Sequence, residues 1–163
     1  MRIVVVGATG HIGGYLIPEL IASGHDVVAV SRGGLPHYRQ HDSWDAVHHV
    51  VIDRDAAESA GTFADDIASL NADVVVDMIC FTADSAQKLV QGLRGRVARL
   101  IMCSTIWVKG RLAAVPADED VVSEPWGDYG INKAAIEAFL RLESLRPDGL
   151  QSTVIRPGQI CGP

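Results

Sequence analysis

The chain has 163 residues and a formal net charge of −6, with 48% apolar and 21% charged residues. That is length and apolar content enough for one domain with a hydrophobic core. The acidic balance gives no electrostatic reason to expect nucleic acid or an anionic membrane surface as a partner. No apolar run approaches the ~20 residues a membrane span needs.

Met1-Arg2 leads straight into Ile3-Val4-Val5-Val6 and a glycine, which reads as a strand and turn and is too short for a signal-peptide core. Further strands are predicted at Asp26–Val30, His48–Ile52, Asp73–Met78, Arg99–Cys103 and Ser152–Arg156, after the first at Arg2–Val6. They are continuous Val/Ile-rich runs more than alternating ones, as a parallel sheet covered on both faces requires. Helices are predicted at His11–Ser23, Thr62–Leu70, Ser85–Leu93 and Gly130–Leu145, with Gly24 as a C-terminal cap of the first. The alternation predicts an α/β domain built on a doubly wound parallel sheet, with helices on both faces.

Two stretches fit neither class. Gly33–Asp45 is polar and contains Pro36, so it reads as a loop with some local helix. Lys109–Asp128 carries Pro116, Pro125, Gly127 and the acidic run Asp118-Glu119-Asp120. It follows a strand's carboxyl end, where ligands bind in open α/β sheets, and is read as an active-site loop. The last residues, from Arg156-Pro157-Gly158 to Pro163, run from a strand into a Gly/Pro-rich loop. More sequence is expected beyond them.

Gly7-Ala8-Thr9-Gly10-His11-Ile12-Gly13 follows the first strand and opens the first helix. Glycine is needed there for a tight turn, for close approach of backbone to a pyrophosphate, and for packing of helix on strand. Backbone amides at the helix start, aided by its dipole, bind phosphate. The turn therefore predicts a Rossmann-type site for NAD(H) or NADP(H), formed by Gly7, Thr9, Gly10, His11, Ile12 and Gly13. The second strand ends in Ser31-Arg32 with no carboxylate, and a hydroxyl with a guanidinium suits a 2′-phosphate, so NADP is favoured over NAD. Asp53-Arg54-Asp55 follows the third strand. Asp53 and Arg54 are assigned to the cofactor, Asp53 through the adenine amino group, with helix capping an equal reading for Asp53 and Asp55.

Tyr129 and Lys133 are four apart and share one face of the last helix. An ammonium near a phenol lowers its pKa, and a phenolate poised near neutrality serves as general base or acid. Ser104 and Thr105, just after the preceding strand, offer hydroxyls to a substrate oxygen. In order, the Gly7/Gly10/Gly13 turn, Asp53, Ser104-Thr105 running into Val108-Lys109-Gly110, Tyr129-x-x-x-Lys133 and Arg156-Pro157-Gly158 resemble the extended short-chain dehydrogenase/reductase family, in its NAD-dependent epimerase/dehydratase group.

The resemblance implies Thr105, with Ser104 beside it, as the catalytic hydroxyl and Tyr129 as acid/base. It implies that Lys133 tunes Tyr129 and holds the nicotinamide ribose, and that the Arg156-Pro157-Gly158 segment, with Pro157 at the cofactor, borders the nicotinamide and begins a substrate-binding region expected beyond this sequence. Tyr129 and Lys133 thus count as catalytic and cofactor-binding. The sequence departs from the family at Lys109, where an aromatic is usual, and at Ile79 and Cys80, where small residues usually lie beside the cofactor.

Other features are quieter. His48 and His49 are adjacent on a strand and face opposite sides, and no cluster joins His37 and His41, so no metal site is expected. The widely spaced Cys80, Cys103 and Cys161 argue against a disulfide framework and for a reducing, cytoplasmic setting. Cys103 ends an apolar strand and reads as a buried, inert thiol. Ile131, Ala135, Phe139 and Leu142 form a stripe read as mostly core, and the family resemblance adds a homodimer through that helix. The functional expectation is an oxidoreductase, isomerase or lyase acting on a small hydroxyl- or carbonyl-bearing molecule such as a sugar nucleotide. The alternative is a non-catalytic NAD(P)-binding sensor or scaffold.

Overall fold

The computed structural model describes residues 1–34, 37–112, 116–121 and 123–162. Pro36, part of the loop reading above, lies outside them. Six parallel strands, β1 (Arg2–Val6), β2 (Asp26–Ser31), β3 (His48–Val51), β4 (Val74–Asp77), β5 (Arg99–Cys103) and β6 (Ser152–Ile155), stand in the order β3-β2-β1-β4-β5-β6. The strand order reverses between β1 and β4, where Val6 and Asp77 are register partners at the carboxyl ends. A crevice for ligands opens at such a switch point.

Each central strand buries both its faces, which is why its sequence does not alternate in polarity. Val4, Val6, Val28 and Val30 join one core cluster, with residues of α3 (Phe63–Ser69), α4 (Ala83–Leu93) and α5 (Gly127–Ser144). Ile3, Val5, Val27 and Ala29 join the other, with Ile17 of α1 (His11–Ala22) and Trp44 from a 3-10 turn at Asp42–Ala46.

The helix α2 (Arg54–Ala60) was not predicted. Its N-cap is Asp53, whose side chain accepts from the Ala56 amide at 3.0 Å, and Gly61 ends it in the left-handed conformation. Capping, left open above, is what occupies this carboxylate.

The stripe on α5 is also corrected. Ile131 and Leu142 are 54% and 67% exposed, Ala135 is exposed, and only Phe139 packs on the core. The inward face is Gly130, Lys133, Ile136, Leu140 and Glu143. Hydrophobicity misled because two polar residues face inward. Lys133 donates to the Cys103 carbonyl, and Glu143 accepts from Arg94 and the Leu150 amide.

Two glycines set how α1 meets β1. Gly7 has φ +83°, and a Cβ there would lie 2.8 Å from Cγ2 of Ile79. A Cβ at Gly13 would collide with the Ala8 carbonyl oxygen. The helix can start directly over the strand end only without that side chain. Gly13→Ala is expected to cost about 3 kcal/mol of stability by forcing α1 off the turn, measured as a lower urea midpoint with an unchanged slope.

Candidate active site

Gly7, Thr9, Gly10, Ser31, Arg32, Arg54 and Ile79, all assigned to the cofactor from sequence, line one cavity of about 250 Å³. Gly10 caps the 12-residue helix α1 without a side chain, and no acidic residue stands in its first turn. The amide end of α1 is thus free to meet an anion, which fits the diphosphate of a dinucleotide. Ser31 and Arg32 end β2 at the other side of this space, with Ser31 Oγ accepting from the Gly33 amide at 3.3 Å.

Other assigned residues lie elsewhere. The side chains of His11 and Ile12 face a separate hollow shared with Ile160 and Cys161, and the His11 ring stacks on Tyr38 at 4.2 Å. Only their backbone belongs to the turn. Gly13 is buried against Ala8. Cys80 is fully buried in the core and does not narrow the groove, while Ile79 does line it. Burial, with Asp77 adding to it, pushes the Cys80 thiol up to about 12. Burial also raises the Cys103 thiol, in keeping with an inert residue.

One strand beyond β4, the end of β5 delivers Ser104 and Thr105, and the first turns of α5 deliver Tyr129 and Lys133. Lys133 is 1% exposed. Its ammonium donates to the Cys103 carbonyl at 2.6 Å and lies 5.7 Å from the centre of the Tyr129 ring and 5.1 Å from that of Phe81. Thr105 caps a 3-10 turn at Ile106–Lys109, accepting from the Trp107 amide at 3.3 Å, and its hydroxyl acts on the Tyr129 phenol. Ser104 turns the other way and donates to Glu137, which Arg156 grips at 2.6 Å. Thr105, Tyr129 and Lys133 come together; Ser104 does not join them. The Pro157 carbonyl accepts from the Ile106 amide at 3.1 Å, which brings the last segment beside Thr105.

The electrostatics differ from expectation. Burial lowers the Lys133 ammonium, against Cys103, Cys80 and Asp77, which favour its charge. Burial, helped by Cys103, raises the Tyr129 phenol above its ordinary value, against the Thr105 hydroxyl. The phenol is raised where the sequence predicted it lowered, because desolvation outweighs the Thr105 hydroxyl. At neutral pH Tyr129 therefore holds its proton.

Lys109 is turned toward the loop that follows it. Its ammonium donates to the carbonyls of Glu119 and Val121, each at 2.6 Å, and Ser123 donates to its own carbonyl. It clasps the loop that follows, of which residues 113–115 and 122 lie outside the described ones. Sequence reasoning missed Phe81 and Asp77. A lone carboxylate ending the run Val74-Val75-Val76 was the available signal for Asp77, since a buried charge needs a partner.

The sequence matches the family described as NAD(P)H-binding over residues 7–161. It is 27% identical over 161 residues to the 2'-dehydrokanamycin reductase of Streptomyces kanamyceticus, covering 98% of this chain and 43% of that protein. It is also 27% identical to the UDP-glucose 4-epimerase of Mycolicibacterium smegmatis, covering 100% of this chain and 57% of that one. The fold superposes on UDP-glucuronic acid 4-epimerase from Bacillus cereus in complex with NAD with a TM-score of 0.78 at 20% identity, over 100% of this chain and 58% of that chain. The chain spans about half the length of these relatives. It belongs to the NAD(P)H-binding family, and the likeness to extended short-chain dehydrogenase/reductases of the epimerase/dehydratase group, read from its motifs, holds.

Proposed function

We propose that this chain forms the cofactor-binding part of an NAD(P)-dependent enzyme that moves hydride between nicotinamide and a carbon bearing a hydroxyl or carbonyl. The observation that carries this reading is the gathering of Thr105, Tyr129 and Lys133 one strand from the glycine turn. A bound nicotinamide dinucleotide supplies or takes the hydride. Tyr129, protonated at neutral pH, is set to give its proton to a carbonyl oxygen. Thr105 orients that oxygen, and Lys133 positions the Tyr129 side of the site from beneath. Names among the relatives, a dehydrokanamycin reductase and UDP-sugar epimerases, support a sugar-like substrate, with sugar nucleotides one class.

Ser31 and Arg32 support NADP over NAD. The exposed Ile131 and Leu142 on α5, with Leu145 just after it, support docking of a second copy, since an apolar face of this kind favours burial. Three free cysteines, one of them exposed, support a reducing cytoplasmic setting.

In steady-state reduction of a carbonyl substrate, Tyr129→Phe is expected to lower kcat by about 100-fold or more while leaving cofactor affinity unchanged. Undiminished turnover overturns the catalytic assignment, and binding with no turnover of any carbonyl compound favours the sensor. In fluorescence titrations, Arg32→Ala is expected to weaken NADP about tenfold and leave NAD unchanged.

Lys133→Met is expected to abolish turnover yet raise the unfolding midpoint, because it removes a charge whose burial is unfavourable. The sign follows from the lowered ammonium. The folded state is penalised wherever the lysine is protonated, so the gain is full at neutral pH and shrinks as pH rises toward 10.5.

A further inference from the structure

A guanidinium and a carboxylate are buried together under the crevice where β1 and β4 part. Asp77, the last residue of β4, is fully buried, and Arg54, the first of α2, is 6% exposed. Nη1 of Arg54 donates to both Asp77 oxygens, at 2.9 and 3.0 Å, and Nε donates to Glu58 at 2.6 Å. Nη2 is buried with no hydrogen-bond partner among the described residues. The guanidinium carbon lies 4.7 Å from the Phe63 ring centre, and Arg54 lines the same cavity as Gly7, Thr9, Gly10, Ser31 and Arg32.

Stability alone does not explain such a pair. Taking two charges out of water costs about as much as their attraction returns, and well-packed apolar residues do as well or better. A structural pair also has no reason to leave Nη2 without a partner on a residue that lines a cavity. Arg54 and the glycine turn line one cavity of about 250 Å³, so a ligand that fills it meets both. Charges act more strongly across a partly enclosed space than in bulk water.

On the reading that this cavity takes the adenosine half of a dinucleotide, we propose that Arg54 is a specificity-determining residue for the negatively charged diphosphate. Asp77 and Glu58 hold the guanidinium in place and weaken its field. The Asp77 carboxylate accepts from the Ile79 amide at 3.0 Å, so it also fixes another wall of the cavity. Arg54 thereby serves NAD and NADP alike, whereas Arg32 serves NADP.

The test is calorimetric titration of NAD, NADP and uncharged adenosine into the protein, at two salt concentrations, for four variants. Arg54→Met is expected to weaken NAD and NADP alike by about tenfold and adenosine by less than about twofold. Asp77→Asn, which keeps the shape and the acceptor for Ile79, is expected to bind both dinucleotides as well or more tightly, with a steeper loss in salt. Arg54→Lys keeps the charge and is expected to stay within about threefold of the wild type. If Arg54→Met leaves Asp77 buried without its partner and the variant does not fold, the Arg54→Met/Asp77→Asn double variant removes both charges and is expected to show the same loss.

Equal weakening by Asp77→Asn and Arg54→Met, or adenosine falling in step with the dinucleotides, makes the pair a strut and overturns this inference while the dinucleotide site stands. A wild-type protein that binds neither NAD nor NADP overturns the site itself.

Discussion

Everything at the crevice depends on how closely α1 approaches the end of β1. Gly13 rests against the Ala8 carbonyl, and Gly7 turns the chain with Ile79 packed at its back. That contact sets the amide end of α1 over the carboxyl end of β1. The parallel sheet does the rest, because every strand then finishes on the same edge. Residues as far apart in sequence as Gly7, Ser31, Asp77, Thr105 and Pro157 reach one rim for no other reason than strand direction. A parallel order makes such convergence unavoidable, and the reversal between β1 and β4 opens the space that the convergent residues border.

Buried charge separates what holds the fold from what faces a ligand. Glu143 is 3% exposed, but Arg94 gives it two hydrogen bonds and the Leu150 amide a third, far from the glycine turn. Its carboxyl is held below the ordinary range by Arg94 foremost, the mark of a satisfied structural pair. Lys133 is more deeply buried and, among the described residues, its hydrogen-bond partner is a neutral carbonyl, so burial lowers its ammonium. Arg54 has carboxylate partners and still keeps a donor in reserve. A buried charge matched by its partners, as in Glu143 and Arg54, adds stability, whereas the buried Lys133 ammonium subtracts from it.

Six strands and the positions of α1, α3, α4 and α5 were legible because β-branched runs and helical stretches alternate plainly. The helix α2 was not, since Arg54–Ala60 has no apolar stripe and is set by its Asp53 cap and the Arg54–Asp77 pair. The glycine turn could be read because backbone geometry demands glycine in fixed places. The orientation of Ser104 could not, since it depends on Glu137, 33 residues away, which no local pattern reveals. The inward face of α5 was misread for a related reason. Polar Lys133 and Glu143 belong inside only once Cys103 and Arg94 are brought to them.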